Sequence, residues 1–356
     1  MNSDSRIFLE ELLSTASPSG FEKAGQNVWT SFTSSYADVV QMDAYGSASA
    51  HIQTNSSACT VMLEAHCDEI GMIIHYIDEK GFIYVQKIGG SDSAIAQGRK
   101  VHILTQKGTV SGVTGSTAIH LKEKNGKLPK WKDIFIDIGA ENKEEALQMV
   151  QLGDPVVFSE QHEFISDEII TGRALDNRLG SYIIAKTLQK LWNQKSRLGV
   201  NVIALNAVQE EIGGFGAKMM AFRHTPDVAL VTDVTHATDS PGIDPKEHGF
   251  ILLGKGPVVC HGGSNHPLVQ QHVREVAEQM NMPLQHEAAG SRTGTDTDSI
   301  FHQKQGIPSG LVSLPLRYMH SPVELASLSD VEMLTDLFTE CVLSLKPDQR
   351  FSAGEM

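Results

Sequence analysis

Cysteine is scarce in this 356-residue chain. The four residues, Cys59, Cys67, Cys260 and Cys341, are scattered and form no Cys-x-x-Cys pair. That spacing excludes a disulfide framework and a thiolate zinc site, and predicts thiols that are reduced and mostly buried. No apolar run approaches the roughly 18 residues of a membrane span. The opening segment, MNSDSRIFLEELLSTASPSG, carries an early acid and no sustained apolar stretch, unlike a signal peptide. A cytoplasmic location is the resulting expectation. Positive charge is in deficit, with 29 Lys and Arg against 43 Asp and Glu and a formal net charge of −14. Such a balance disfavours nucleic acid and anionic membranes as partners. The Gly-rich stretches match neither the phosphate loop nor the dinucleotide fingerprint.

What is present suits a folded protein with a sizeable core: hydrophobic residues make up 40% and charged residues 20%. The length predicts two domains, or one large domain carrying an insertion. Ile7, Leu9, Leu12 and Leu13 recur at helical spacing before the stop Ser17-Pro18-Ser19-Gly20, and a second helix is expected from Glu22 to about Phe32. Strands are expected at Val39–Met42, Ala48–Ile52 and Thr60–Ala65. From about Met72 to Ile165, short β-rich pieces alternate with Gly, Asp and Asn turns, the texture of a small all-β module. Beyond Gly172 the pattern becomes strand and helix in turn: helix Arg178–Trp192, strand Val200–Val208, helix GGFGAKMMAF, strand Val228–Thr232, helices His266–Met280 and Thr297–Gln303, strand Ser309–Ser313 and a last helix Ser329–Leu345. The alternation predicts an α/β fold with a mixed, largely parallel sheet sandwiched by helices and a small β-rich insertion.

Five segments concentrate His, Asp and Glu beside Gly or at strand ends: AHCDEIG (65–71), GRALDNRLG (172–180), QEEIGGFGA (209–217), TDV (232–234) and MHSP (319–322). Ligands gather at the carboxyl ends of strands in open α/β sheets, so these segments point to one crevice. His66 and Asp68 lie two apart, on one face of an extended segment, so one can bind a metal while the other holds it in place. Glu210 and Glu211 are adjacent; their side chains diverge, which suits one ligand and one general base. Asp176 either caps the helix that follows it or bridges two metal ions. Asp233 and His320 follow strand-like runs, where each taken alone reads as structural. Together the hard carboxylates and imidazoles, without thiolate, suit a pair of catalytic zinc, cobalt or manganese ions. His236 and Asp239, and the loop GSRTGTDTDSI (290–300), are weaker candidates for lining a substrate pocket, the loop through backbone N–H groups. His75, His102, His120 and His261 are expected to lie outside the site.

In this order and combination, His66-x-Asp68, Asp176-Asn177, Glu210-Glu211, Asp233 and His320, with the segments AHCDEIG, GRALDNR, QEEIGGFGA, DVTHATDSPG and RYMHSP, the sequence resembles the M42 metallo-aminopeptidases over essentially its whole length. These are the tetrahedral aminopeptidases, which include glutamyl and deblocking enzymes and proteins once labelled cellulase M. The resemblance implies that His66 and Asp233 bind one metal, Glu211 and His320 the other, and that Asp176 bridges both. It also makes Glu210 the general base and Asp68 the residue that orients His66. It implies two divalent ions per subunit, zinc first and cobalt or manganese as alternatives. The implied catalytic domain spans 1–71 and 166–356, with a PDZ-like assembly domain inserted at 72–165. The expected activity is release of N-terminal residues from peptides by a homo-oligomer, possibly the family's dodecamer. Three rivals stand beside it: a related two-metal deacylase or exopeptidase, a non-catalytic peptide binder, and a glycoside hydrolase. The last uses paired carboxylates but needs no accompanying His and Asp set, and aromatic residues for lining a sugar cleft make up only 6% of the chain.

Overall fold

The computed structural model describes residues 3–55, 57–121, 128–352 and 354. Two helices open the chain, Ser3–Ser14 and Lys23–Thr33. The first buries Phe8, Leu9, Leu12 and Leu13 along one stripe, as the spacing requires. Strands β1 (Val39–Met42), β2 (Ala48–Ile52) and β3 (Thr60–His66) follow. An inserted run carries β4 (Gly71–Ile77), β5 (Ile83–Ile88), β6 (Lys100–Thr105), β7 (Gly108–Thr114), β8 (Phe135–Asp137) and β9 (Pro155–Phe158). The chain then returns through β10 (Glu163–Phe164), β11 (Ile169–Gly172), helix Leu175–Trp192, β12 (Asn201–Ala207), helix Phe215–His224, β13 (Val228–Val231) and β14 (Val234–His236). It ends with β15 (Val258–Gly262), helix Pro267–Gln279, β16 (Gln285–Ala289), helix Thr297–Ile300, β17 (Ser309–Arg317), β18 (Glu324–Ser327) and helix Leu328–Leu343.

Twelve strands form one sheet in the order β1-β2-β12-β3-β13-β17-β18-β11-β10, with β14 and the β15–β16 pair joined along β17. Its middle, β12-β3-β13-β17, is parallel, as are the β14–β17 and β15–β16 pairs. The margins are antiparallel, as is the contact of β15 with β17. The sheet is therefore mixed rather than largely parallel. Parallel neighbours need long crossovers, whereas β1 to β2, β10 to β11 and β17 to β18 are joined by short reversals that can only give antiparallel pairs. The strand β3 is buried on both faces. Val61, Leu63 and Ala65 pack into the core shared with the helices Ser3–Ser14, Lys23–Thr33, Leu175–Trp192, Pro267–Gln279 and Leu328–Leu343. Met62 packs into the opposite core with Ala217, Met220 and Ala221 of helix Phe215–His224. The two-residue period of a strand places Glu64 and His66 on Met62's side of the sheet.

The inserted run closes into a six-stranded barrel, β4-β5-β8-β7-β6-β9, in which every pairing is antiparallel. It has a core of its own built on Met72, Ile74, Ile83, Val101, Ile103, Ile136 and Val156. The module is not purely β, as its texture suggests: a helix, Lys143–Met149, lies between β8 and β9, capped by the Asn142 side chain accepting from the Glu145 amide. All four cysteines are free and buried. Among the described residues no helix is long and apolar enough to cross a membrane.

One buried cation ties the start of the chain to the site-bearing strand. Arg178 is fully buried. Its Nε donates to the Cys67 carbonyl at 2.8 Å, and its Nη1 donates to the carbonyls of Leu12 and, at 2.7 Å, Thr15. Nη2 reaches the Ser17 hydroxyl and, at 3.0 Å, Glu69 Oε1. The other oxygen of Glu69 pairs with Arg173. Removing one partner of a buried ion pair leaves an uncompensated charge at a cost of about 3–5 kcal/mol. Arg178→Leu is expected to lose stability of that order in urea unfolding; an unchanged midpoint would show that Glu69 is satisfied by Arg173 alone.

Candidate metal centre

The neighbouring strands β12, β3, β13 and β17 end side by side, and each delivers site residues just past or at its carboxyl end. His66 closes β3, and Asp68 follows two residues later. The turn after β12 carries Glu210 and Glu211. It is shaped by positive φ at Gln209, Gly213 and Gly214, the last of which starts helix Phe215–His224. Asp233 lies two residues past β13, and His320 three residues past β17 at φ 60°. Asp176 enters from the side, at the start of helix Leu175–Trp192, where Asp176 and Asn177 depart from helical dihedrals. Asn177 Oδ1 accepts from the Gly180 amide at 3.0 Å and so caps the regular helix. That frees Asp176 from the capping role.

Both oxygens of Asp176 are instead directed at imidazoles. Oδ1 lies 3.4 Å from His66 Nε2, and Oδ2 lies 3.2 Å from His320 Nε2. His66 Nε2 is also 3.5 Å from Asp233 Oδ1 and 3.9 Å from Glu210 Oε2, and His320 Nε2 is 3.4 Å from Glu211 Oε2. Two groups thus offer ligand atoms within 4.8 Å of one another: His66, Asp176 and Asp233, and Asp176, Glu211 and His320. Asp68 stands behind them. Its Oδ1 lies 3.5 Å from His66 Nδ1 and accepts from the Glu210 amide at 3.0 Å. Its Oδ2 accepts from the Glu211 amide at 3.1 Å and the Ser19 hydroxyl at 2.6 Å. All seven residues singled out in the sequence meet at this one place.

The charges do not balance. Burial pushes the Glu211 carboxyl up to about 7, raises Asp233, and holds Glu210 well above the usual carboxylate range. For the imidazoles burial acts downward, yet the surrounding carboxylates outweigh it: Asp176 and Glu211 push His320 up to about 11, and Asp233, Asp176 and Asp68 hold His66 well above its ordinary value. Asp176 is depressed below the carboxylate range, because the two imidazoles outweigh its burial. Among the described residues no Lys or Arg pairs with Asp176, Glu210, Glu211 or Asp233. Glu211 Oε1 is buried without a hydrogen-bond partner. Four carboxylates against two imidazoles, with an unused oxygen among them, fit divalent cations, and the all-N/O donor set is of the zinc, cobalt or manganese kind.

An open cavity of about 930 Å³ lies over this cluster, with His236, Arg292, Thr293, Phe301 and Met319 in its walls. The 290–300 loop does line it, but the Thr293 and Gly294 amides are taken: both donate to Asp298 Oδ2, at 2.9 and 3.0 Å. His236 lines the cavity, whereas Asp239 is engaged away from it in a two-point pair with Arg317. His75, His102, His120 and His261 belong to neither ligand group. Several residues at the site were not named individually from the sequence. Glu64 and Asp296 are both buried beneath it, and burial pushes Glu64 up to about 8. Glu324 accepts from two backbone amides at the centre. Gly89 and Gly90, from the barrel, wall the second ligand group: a Cβ at Gly89 would meet Glu211 at 3.2 Å, and one at Gly90 would strike the His320 ring.

The chain matches the family model described as M42 glutamyl aminopeptidase over residues 46–337. It is 33% identical to the lysyl aminopeptidase of Pyrococcus furiosus over 349 residues, covering 95% of this chain and 97% of that relative. Its structure superposes on a TET aminopeptidase from a marine sediment Thaumarchaeota archaeon with a TM-score of 0.92 at 32% identity, covering 96% of this chain and 97% of that one. The TET1 peptidase of Pyrococcus horikoshii, which can assemble into a tetrahedron or a large octahedral shell, gives a TM-score of 0.84 at 29% identity, covering 96% and 100%.

Substitution at Gly90 tests the barrel's contact with the cluster. Gly90→Ala would place a methyl group against His320, and is expected to weaken zinc uptake by about 10- to 100-fold with the fold kept, the size seen when the support of a ligand is disturbed. The same change at Gly290, where nothing lies within 4 Å, is expected to leave uptake unchanged. Titration calorimetry on metal-free protein reads both.

Proposed function

The chain belongs to the M42 glutamyl aminopeptidase family, and from that premise we propose how this aminopeptidase works: a water attacks the first peptide bond with Glu210 as general base, at a centre whose His66, Asp176, Asp233, Glu211 and His320 would hold two divalent ions. The observation that carries the reading is the division of Asp176 between His66 and His320. One ion would be held by His66, Asp176 and Asp233, the other by Asp176, Glu211 and His320, with zinc the first choice and cobalt or manganese suited to the same donors. Such ions lower the pKa of a bound water towards neutrality and polarise the scissile carbonyl.

The chain's own groups do the rest. Glu210 lines the open cavity and stands 3.9 Å from His66 Nε2, beside the two ligand groups without belonging to either. It takes the proton of the attacking water and delivers it to the leaving amine. Asp68 does not face the cavity. It fixes the His66 ring and, through two amide bonds, the backbone from which Glu210 and Glu211 diverge. The substrate's free α-amine enters among the acidic groups, which favours action at N-termini. Residues 1–71 and 166–356 form the catalytic domain in this reading. Residues 72–165, a module with a core of its own, are the PDZ-like assembly domain in this reading, and the subunits form a homo-oligomer, a dodecamer being the form suggested by similar proteins described as a dodecamer and as assembling into a tetrahedron.

The reading is tested by hydrolysis of aminoacyl-p-nitroanilides and short peptides, with and without an N-terminal block, after chelation and after reloading with zinc, cobalt or manganese. Cleavage of unblocked substrates alone, lost on chelation and restored by a metal, is expected. Cleavage of blocked substrates would point instead to a deacylase. Glu210→Gln removes a base and no ligand. It is expected to bind two ions by elemental analysis while kcat falls by about 100- to 10,000-fold. Near wild-type turnover in that variant would exclude Glu210 as the base.

A further inference from the structure

Glu324 opens β18, four residues after His320, and is 2% exposed. Its Oε2 accepts from the Asp176 amide at 3.1 Å, and its Oε1 accepts from the His320 amide at 2.8 Å. These two residues lie 144 apart in the chain, at a helix start and past a strand end, and each is singled out above as a metal ligand. Glu324 does not line the open cavity over the cluster. It borders a separate small space of about 20 Å³, together with Glu69, Arg173, Asp176 and Glu211. That volume admits a single water and no substrate group.

We propose that Glu324 is a positioning residue for the second metal site: one buried carboxylate clamps the backbones of Asp176 and His320 and so sets the separation of their side chains. The proposal rests on the two-metal reading above. His320 needs such a clamp because its backbone has positive φ, a conformation that costs a non-glycine residue free energy and persists only where neighbours enforce it. Asp176, at the departure from helical dihedrals, likewise has no helical partner for its amide. A carboxylate satisfies both amides because each oxygen is an acceptor. Glutamine cannot, because its amide offers one acceptor and turns a donor towards the other N–H. The effect falls unequally on the two ligand groups: Asp176 and His320 make two of the three members of one, and Asp176 alone belongs to the other.

The test is zinc titration of metal-free wild type, Glu324→Gln and Asp330→Asn, with thermal unfolding of each metal-free protein. Asp330 is the control. It is also fully buried and also accepts from two amides, those of Gly254 at 2.7 Å and Gly256 at 2.9 Å, away from the cluster. Both variants are expected to lose stability. Only Glu324→Gln is expected to lose zinc affinity, with the first ion bound as in wild type and the dissociation constant of the second raised by about 10- to 100-fold. Glu324→Asp keeps the charge and both acceptors on a stem one carbon shorter, and is expected to fold and show the same selective loss in weaker form. Unchanged affinity for both ions in Glu324→Gln, or in Glu324→Asp should the first not fold, would overturn the proposal, as would an equal loss in Asp330→Asn. Wild-type protein that took up fewer than two zinc ions would overturn the two-metal reading and this inference with it.

Discussion

One carboxylate placed between two imidazoles is the arrangement on which the rest of the centre depends. Asp176 can present its oxygens to His66 and His320 separately only if its own backbone is held between the strand ends that carry them. The adjacency of β3, β13 and β17 in the sheet sets that spacing. Asn177 takes over the capping of the helix, so Asp176 has no competing bond to a free amide. The acidic surplus that results is tolerable because the imidazoles are drawn to their charged forms by the same carboxylates. It also makes the cluster a place where cations bind in preference to neutral ligands.

Behind that layer lies a second one made of backbone bonds to buried acids. Asp68 grips consecutive amides, of Glu210 and Glu211, with its two oxygens. Fixing two adjacent peptide units forces their side chains to part, and so two residues of the same type reach different surroundings. Glu211 meets His320, while Glu210 meets His66 and the open cavity. Arg178 anchors the segment that carries Asp68, through the Cys67 carbonyl and Glu69, from the side of the N-terminal helix. The backbone at Glu210 and Glu211 is thus fixed by bonds to a buried acid, while the two side chains remain directed at the cluster.

The residues that meet at the cluster were legible in the sequence because their chemistry and their context agreed. His66, Glu210, Glu211, Asp233 and His320 each follow an apolar run, and a run followed by an acid or imidazole marks a strand end even when its strand is misjudged by several residues, as with β17, which extends to Arg317 rather than Ser313. The central parallel strands were legible for the same reason. The margins were less so. β16 is QHEAA, half exposed throughout, and β14, β15 and β18 are three to five residues long; such pieces pair because neighbours offer an edge, not because their own pattern demands it. Glu324 was illegible on other grounds. An acid in a short strand reads as surface, and nothing local shows that a distant amide waits for it.

Gly89 and Gly90 show where reading by segments fails altogether. Within the barrel they close β5 as an ordinary glycine turn, and any small loop would serve that purpose. Beyond the positive φ of Gly89, a further constraint comes from the other module: a Cβ at Gly89 would meet Ile70 at 2.9 Å and Glu211 at 3.2 Å, and one at Gly90 would strike the His320 ring. The barrel has its own core and its own closed hydrogen-bond ring, yet it supplies a wall that the sheet domain lacks. His320 is gripped through its backbone by Glu324 and bounded at its ring by Gly90, so the imidazole is confined from two sides by groups on different modules. A module joined to the cluster in this way bears on His320 whenever it shifts on the sheet domain. Any packing of subunits that acts on the barrel near Gly90 therefore bears on the ring of His320.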